Sequence, residues 1–204
     1  MRTNGGFTFA EHPARAAPDA RIIWRADLDP ATLHLDAVPV GRRDSDGIDI
    51  ARLSPWLSSV TDGRGSQHAI LSDGWHHIRL EFDHGRLIPG DRVMLRYRLD
   101  GIQAVDPPLL ALRRFLYLYR YRRFAATLFP RDRRVERWVE ALRVHDALRA
   151  GASYREIGRV LFGEQRVEEQ WLADGQSLRH RLVRLAADAH RTAQQGHLSL
   201  LRRR

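Results

Sequence analysis

The spacing of hydrophobic and polar positions changes partway along the chain. Up to about residue 100, apolar residues come in short runs or at every second position, the period of a half-buried strand. Residues 21–25 (RIIWR) and 33–38 read as short strands separated by the Asp29-Pro30 step, and residues 51–60 as a short helix. The clearest strand signal is QHAILSDGWHHIRLEFDHG, where Ile78, Leu80 and Phe82 alternate behind Asp73-Gly74. Asp-Gly suits a two-residue turn because both positions tolerate positive φ, so a hairpin is predicted. A further strand over 92–99, after Pro89-Gly90, extends it into a meander within a small antiparallel sheet.

From Pro107-Pro108 onward the period becomes helical. Residues 109–124 are apolar on two sides, which predicts a connecting helix buried on both. Asp132 is placed to cap a helix over 133–150 with core positions Val135, Trp138, Val139, Leu142 and Leu148, and Gly151 to close it. Ser153 and Glu156 have the spacing of a capping box, which opens a short helix carrying Tyr154, Ile157, Val160 and Leu161 and ending at Gly163. Inside it, Gly158 costs about 1 kcal/mol relative to alanine and predicts the close approach of another backbone. A last helix is expected over about 177–194. The fold class is therefore α+β: a flexible arm over 1–20, a small antiparallel β-rich domain over 21–106, and an all-α, helix-turn-helix-like half over 107–204.

Charge follows the same division. Residues 107–204 hold 21 arginines against 10 acidic residues, a net +11, while residues 1–106 hold 13 against 15, a net −2. Clustered cations in one half are the electrostatic footprint of a nucleic-acid-binding module. Lysine is absent altogether, so it is the balance of signs, rather than the arginine count, that carries this reading. With 43% hydrophobic and 29% charged residues the chain has a soluble globular composition. It has no cysteine for disulfides or zinc, no run of eighteen apolar residues, and no apolar segment behind a basic start, so the expected location is the cytoplasm, away from the membrane.

The chemistry concentrates in the last long helix. At 100° per residue Leu178, Leu182, Leu185 and Ala189 share one stripe, His180, Arg184 and Arg191 fall opposite, and Arg179 and Arg181 lie on the flanks. A core-facing stripe backed by a basic one suits a groove-reading helix, since arginine contacts guanine edges bidentately and neutralises phosphates. Arg179, His180 and Arg184 are the candidates for groove contacts, and Arg181 and Arg191 for phosphate contacts. The same pattern describes a solvated charged face. The short helix from Tyr154 would brace the reading helix, with Tyr154 and Arg155 nearest to phosphate; it also fits an ordinary helical bundle. The link EQRVEEQWLADGQ is too long for the usual turn and is acidic, and one extra helical turn packed by Val167, Trp171 and Leu172 would account for it. The run LRRFLYLYRYRRF offers rings and cations to single-stranded nucleic acid, but reads first as core with arginines on the surface. The C-terminal LRRR adds a source of non-specific phosphate contacts.

His68, His76, His77 and His84 surround one hairpin without the spacing of a metal site, because His76 and His77, adjacent on a strand, face opposite ways. Phosphate loops, nucleophile elbows and paired catalytic carboxylates are not found either, so neither an enzyme nor a cofactor is expected.

PRDRRVERWVEALRVHDALRAGASYREIGRVLFG, SLRHRLVRLAADAHR and GHLSLLRRR together resemble the RovC-like DNA-binding domain family over about half the chain, from roughly 107 onward. GHLSLL is similar to that family's Gly-aromatic-x-x-Leu-Leu ending, with His197 in the aromatic place, and RIIWRADLDPATLHLDAVP is similar to a segment that precedes the domain in longer members. The resemblance implies a bacterial transcription regulator of helix-turn-helix type that binds double-stranded DNA, with a supporting helix over 154–162 and a recognition helix beginning near Ser177. Short relatives act as antiactivators, so a module that sequesters a related regulator or an RNA polymerase subunit is the alternative. The family's further N-terminal region is not seen in this sequence, which favours that alternative. A homo-oligomer is the expected assembly if the protein reads a palindrome.

Overall fold

Six strands form where the sequence alternates: β1 (Leu33–Pro39), β2 (Ile48–Asp49), β3 (Leu57–Thr61), β4 (Gln67–Ser72), β5 (His77–His84) and β6 (Arg92–Arg98). Five helices follow: α1 (Asp106–Tyr121), α2 (Val135–Arg149), α3 (Tyr154–Phe162), α4 (Glu164–Ala173) and α5 (Gln176–Arg191). The computed structural model describes residues 15–16, 19–173 and 176–193, with the side chains at 170–173 and 176–177 outside that description. Most of the expected N-terminal arm and the terminal GHLSLLRRR fall outside the described residues, as do the side chains of Trp171, Leu172 and Ser177.

The class is α+β, but the sheet is mixed, in the order β2-β6-β1-β5-β4-β3. β4 and β5 form the expected hairpin, with Leu71 opposite Ile78 and Ala69 opposite Leu80. Its connection spans four residues, in which Asp73 accepts from the amides of Trp75 and His76 and only Gly74 takes a positive φ, so His76 lies in the turn and not on the strand. The meander does not form: β1 inserts between β5 and β6, parallel to β5 and antiparallel to β6. Leu33, Leu35 and Ala37, on the core-facing side of β1, are fully buried. At the end of β5, Gly85 has φ +76 and a Cβ there would stand 1.9 Å from the Ala37 carbonyl oxygen, so this position admits only glycine.

Two further expectations fail for local reasons. Residues 51–60 form a 3-10 turn over Ile50–Leu53, capped by the Asp49 carboxylate, and then strand β3; Pro55, which lacks an amide donor, separates them. Residues 21–25 make only an isolated bridge at Trp24, although Ile23 is fully buried.

One face of the sheet packs against Ala111, Phe115 and Leu118 of α1. Pro107 and Pro108 occupy the first turn of this helix, where a missing amide costs nothing, and Arg122 closes it in the left-handed conformation. α1 is thus buried along one row, not two: Leu109 and Tyr121 are exposed. The other sheet face carries, beside the buried Ile70, a polar cluster. There Arg79 is buried between Glu81 and the Trp24 and Ala69 carbonyls, His68 donates to Glu81, and His84 pairs with Asp36.

The described residues divide into two compact units, one holding the sheet and α1 up to Pro130 and the other the helices from Arg131 onward. The division falls after α1 and not at 106, because α1 is part of the sheet's own core.

Candidate nucleic-acid interface

The second unit is built around small residues. Ala141 and Val144 of α2, Ile157 of α3, and Leu182, Ala186 and Ala189 of α5 form its core. Val135, Val139 and Leu142, expected in this core, are exposed, because α2 buries the row of Ala141 and Val144 instead. Asp132 does not occupy the cap position of α2: it accepts from the amide of Arg134, the residue immediately before the helix, and pairs with the Arg134 guanidinium, which holds its carboxyl at about 2.

α3 begins as its sequence dictates. The Ser153 hydroxyl accepts from the Glu156 amide at 3.3 Å, and the Glu156 carboxylate accepts from the Ser153 amide at 2.7 Å, so two otherwise unpaired helix-end donors are satisfied. Gly158 is buried, and what approaches it is side chain rather than backbone: a Cβ there would lie 3.1 Å from Leu182 Cδ1 and 3.4 Å from Val167 Cγ2.

The acidic link that follows is a helix, α4, entered through Gly163 at φ +88. Val167 is fully buried, as expected, and Glu168 reaches back to α3. Its carboxylate accepts from Arg159 Nε at 3.1 Å and also pairs with Arg155. These two guanidinium groups, Arg159 first, hold the Glu168 carboxyl below the ordinary carboxylate value of 4.5. A carboxyl depressed on folding adds stability above its unfolded pKa and loses it as pH falls through the folded one. Thermal stability of this unit should therefore fall on acidification below about pH 4.5, and Glu168→Gln should flatten part of that fall in circular dichroism melts. Glu156, depressed by the Ser153 amide and hydroxyl, supplies another part over the same window.

On α5 the stripe is as expected. Leu178, Leu182, Ala186 and Ala189 are buried, Leu185 is partly so, and Arg179, His180, Arg181, Arg184 and Arg191 are exposed. The cations differ in what holds them. Arg181 lies over the Phe162 ring at 4.7 Å, and Arg191 pairs with Asp188 at 2.7 Å while Asp188 also accepts from Arg137 of α2. Among the described residues Arg179 and Arg184 form no ion pair. Arg155 is committed to Glu168, and Tyr154 stands partly exposed at the first turn of α3.

Between α2 and α5 runs an open groove of about 860 Å³, to which Arg133, Arg137 and Arg143 contribute from the α2 side and Arg181 and Arg184 from α5. The α2 arginines were not singled out in the sequence. Their signal is present in RDRRVERWVEALR, where Arg133, Arg137 and Arg143 are spaced four and six residues apart, but acidic neighbours at Glu136 and Glu140 dilute it. Among the described residues no helix is long and apolar enough to cross a membrane.

No curated protein matches the chain. Residues 104–202 match the family model described as a T6SS transcription factor, DNA-binding domain. The match starts just before α1 and includes every helix described above. Over these residues the chain matches the RovC DNA-binding domain family, a family of transcription-factor domains that bind DNA.

Proposed function

We propose that this protein regulates transcription in the cytoplasm by binding duplex DNA through a helix-turn-helix-like unit in which α3 braces and α5 enters the major groove. The observation that carries this reading is the two-sided character of α5: a fully buried Leu182 stripe, with Arg179, His180 and Arg184 exposed away from it. Because α4 replaces the short turn, α3 and α5 are a widened version of the motif. Ser177, at the start of α5, lies where helix-end amides meet a phosphate, and Tyr154 does so at the start of α3. Arg181 and Arg191 are assigned to phosphate; Arg155 reaches phosphate only by leaving Glu168.

Purified protein should retard the DNA upstream of its own coding region at about 50 mM salt, with affinity falling steeply as salt rises because each neutralised phosphate releases counterion. Absence of any shift under those conditions overturns the proposal. Arg184→Ala should weaken discrimination among sites by about 1–3 kcal/mol if it touches a base edge. An equal loss on every sequence instead assigns Arg184 to phosphate.

A second reading is favoured by one feature. Val135, Val139 and Leu142, at i, i+4 and i+7 along α2, are all exposed and form an apolar row suited to a protein partner such as a related regulator, an RNA polymerase subunit or a second copy of the chain. Co-purification with such a partner, without DNA retention, decides for sequestration.

A further inference from the structure

The sheet-bearing unit has a basic surface that the α5 reading leaves unused. Residues 107–131 contain six arginines and no acidic residue. On α1 the inward row is Ala111, Phe115 and Leu118, and Arg114 is buried, donating to the Leu128 carbonyl at 2.8 Å and lying over the Phe129 ring. The outward row is Arg113, Tyr117, Arg120 and Tyr121, at i, i+4, i+7 and i+8. Arg113 and Arg120 are exposed, and Tyr121 is 60% exposed. The Tyr117 and Tyr121 rings meet at 4.6 Å, and Arg123 donates to the Tyr117 hydroxyl at 3.4 Å. Among the described residues Arg113, Arg120 and Arg123 form no ion pair.

Two chemistries are therefore joined on one helix face. Guanidinium groups without a carboxylate call for a polyanion, and exposed ring faces between them call for something flat and apolar. Duplex DNA offers phosphates but keeps its base faces stacked inside. An unpaired strand offers both at the spacing of successive nucleotides. We propose that the outer face of α1 binds single-stranded nucleic acid, with Tyr121, backed by Tyr117, stacking on a base and Arg113, Arg120 and Arg123 taking the flanking phosphates. The sequence LRRFLYLYRYRRF thus divides: Phe115, Leu116, Leu118 and Tyr119 serve the core together with the buried Arg114, and Arg113, Tyr117, Arg120, Tyr121 and Arg123 form the contact surface. The site goes beyond the α5 reading in both ligand and location.

The test uses the full chain and a fluorescein-labelled oligo(dT) about fifteen nucleotides long, read by anisotropy at about 50 and 200 mM salt. Tyr121→Ala should weaken binding about 5- to 150-fold, the range that loss of one stacked base produces, while Tyr121→Phe keeps it. Arg113→Ala with Arg120→Ala should lower the salt slope by about 0.7 for each phosphate that is no longer neutralised. Duplex retardation should be unchanged by Tyr121→Ala, and oligo(dT) binding unchanged by Arg184→Ala, so the two readings fail separately. The proposal is overturned if Tyr121→Ala binds oligo(dT) as the wild type does, if Tyr121→Phe fails alongside it, or if the same substitutions abolish binding to vesicles of anionic lipid in a protein with no affinity for oligo(dT). Tyr121 is mostly in solvent, and an unchanged melting temperature will show that each variant is folded.

Discussion

Replacing Leu182 with alanine should destabilise the helical unit by about 2–5 kcal/mol and abolish duplex retardation at the temperature where the wild type binds. Leu182 is 0% exposed, and the other members of its cluster on α5, Ala186 and Ala189, are small. Removing its isopropyl end opens a cavity against Ile157, Val144 and Gly158 that backbone movement alone cannot refill. Small domains have little surplus stability, so a cost of this size is a large part of the total.

Gly158 supplies an internal check. Alone, Gly158→Ala sets a helix-propensity gain of about 1 kcal/mol against crowding at 3.1 Å from Leu182 Cδ1. In the Leu182→Ala background the crowding disappears and the full gain of about 1 kcal/mol should be recovered. Additive effects in urea unfolding of the four variants would mean that α3 and α5 do not meet at this pair. A cost below about 1 kcal/mol for Leu182→Ala would mean that α5 is not held by its stripe.

What the sequence revealed about this unit was local. The Ser153–Glu156 box, the Gly151 and Gly163 stops and the two-sided α5 each depend on residues within a few turns of one another, and each is found as read. What it concealed depended on partners distant in sequence. Val135 and Val139 have the spacing of core positions, yet α2 turns Ala141 and Val144 inward because the alanines of α5 admit a close neighbour there. The acidic link looked like an obstacle to a DNA-reading unit; Glu168 turns it into a strut holding Arg155 and Arg159. Arg155 looked like a free cation for the same reason, since its partner lies thirteen residues away on a helix the sequence did not define. In the sheet, alternation places Leu33, Leu35 and Ala37 of β1 on the core side but assigns the strand to no particular neighbour, so its insertion between β5 and β6 was not legible.

The polar cluster on the sheet offers the second large effect: Arg79→Ala should cost about 3–5 kcal/mol, the range for removing one partner of a buried ion pair. Arg79 is 2% exposed, and its burial outweighs the pull of Glu81, so its guanidinium sits below the usual arginine value. It donates to Glu81 at 2.5 Å, to the Trp24 carbonyl at 2.8 Å and to the Ala69 carbonyl at 3.2 Å. Truncation leaves those carbonyls and the Glu81 carboxylate short of donors, and the N-terminal segment through Ile23 and Trp24 loses its tie to β5. The double variant Arg79→Met with Glu81→Leu removes both charges and fills part of the volume, so it should cost clearly less than Arg79→Ala despite changing more atoms. His68, which donates to Glu81 and stands 3.4 Å from Asp62, keeps the second carboxylate in that variant. Should the double variant instead prove less stable than the single one, Arg79 would be required for its hydrogen bonds to Trp24 and Ala69 more than for its charge, and the sheet's polar cluster would owe its order to that one guanidinium.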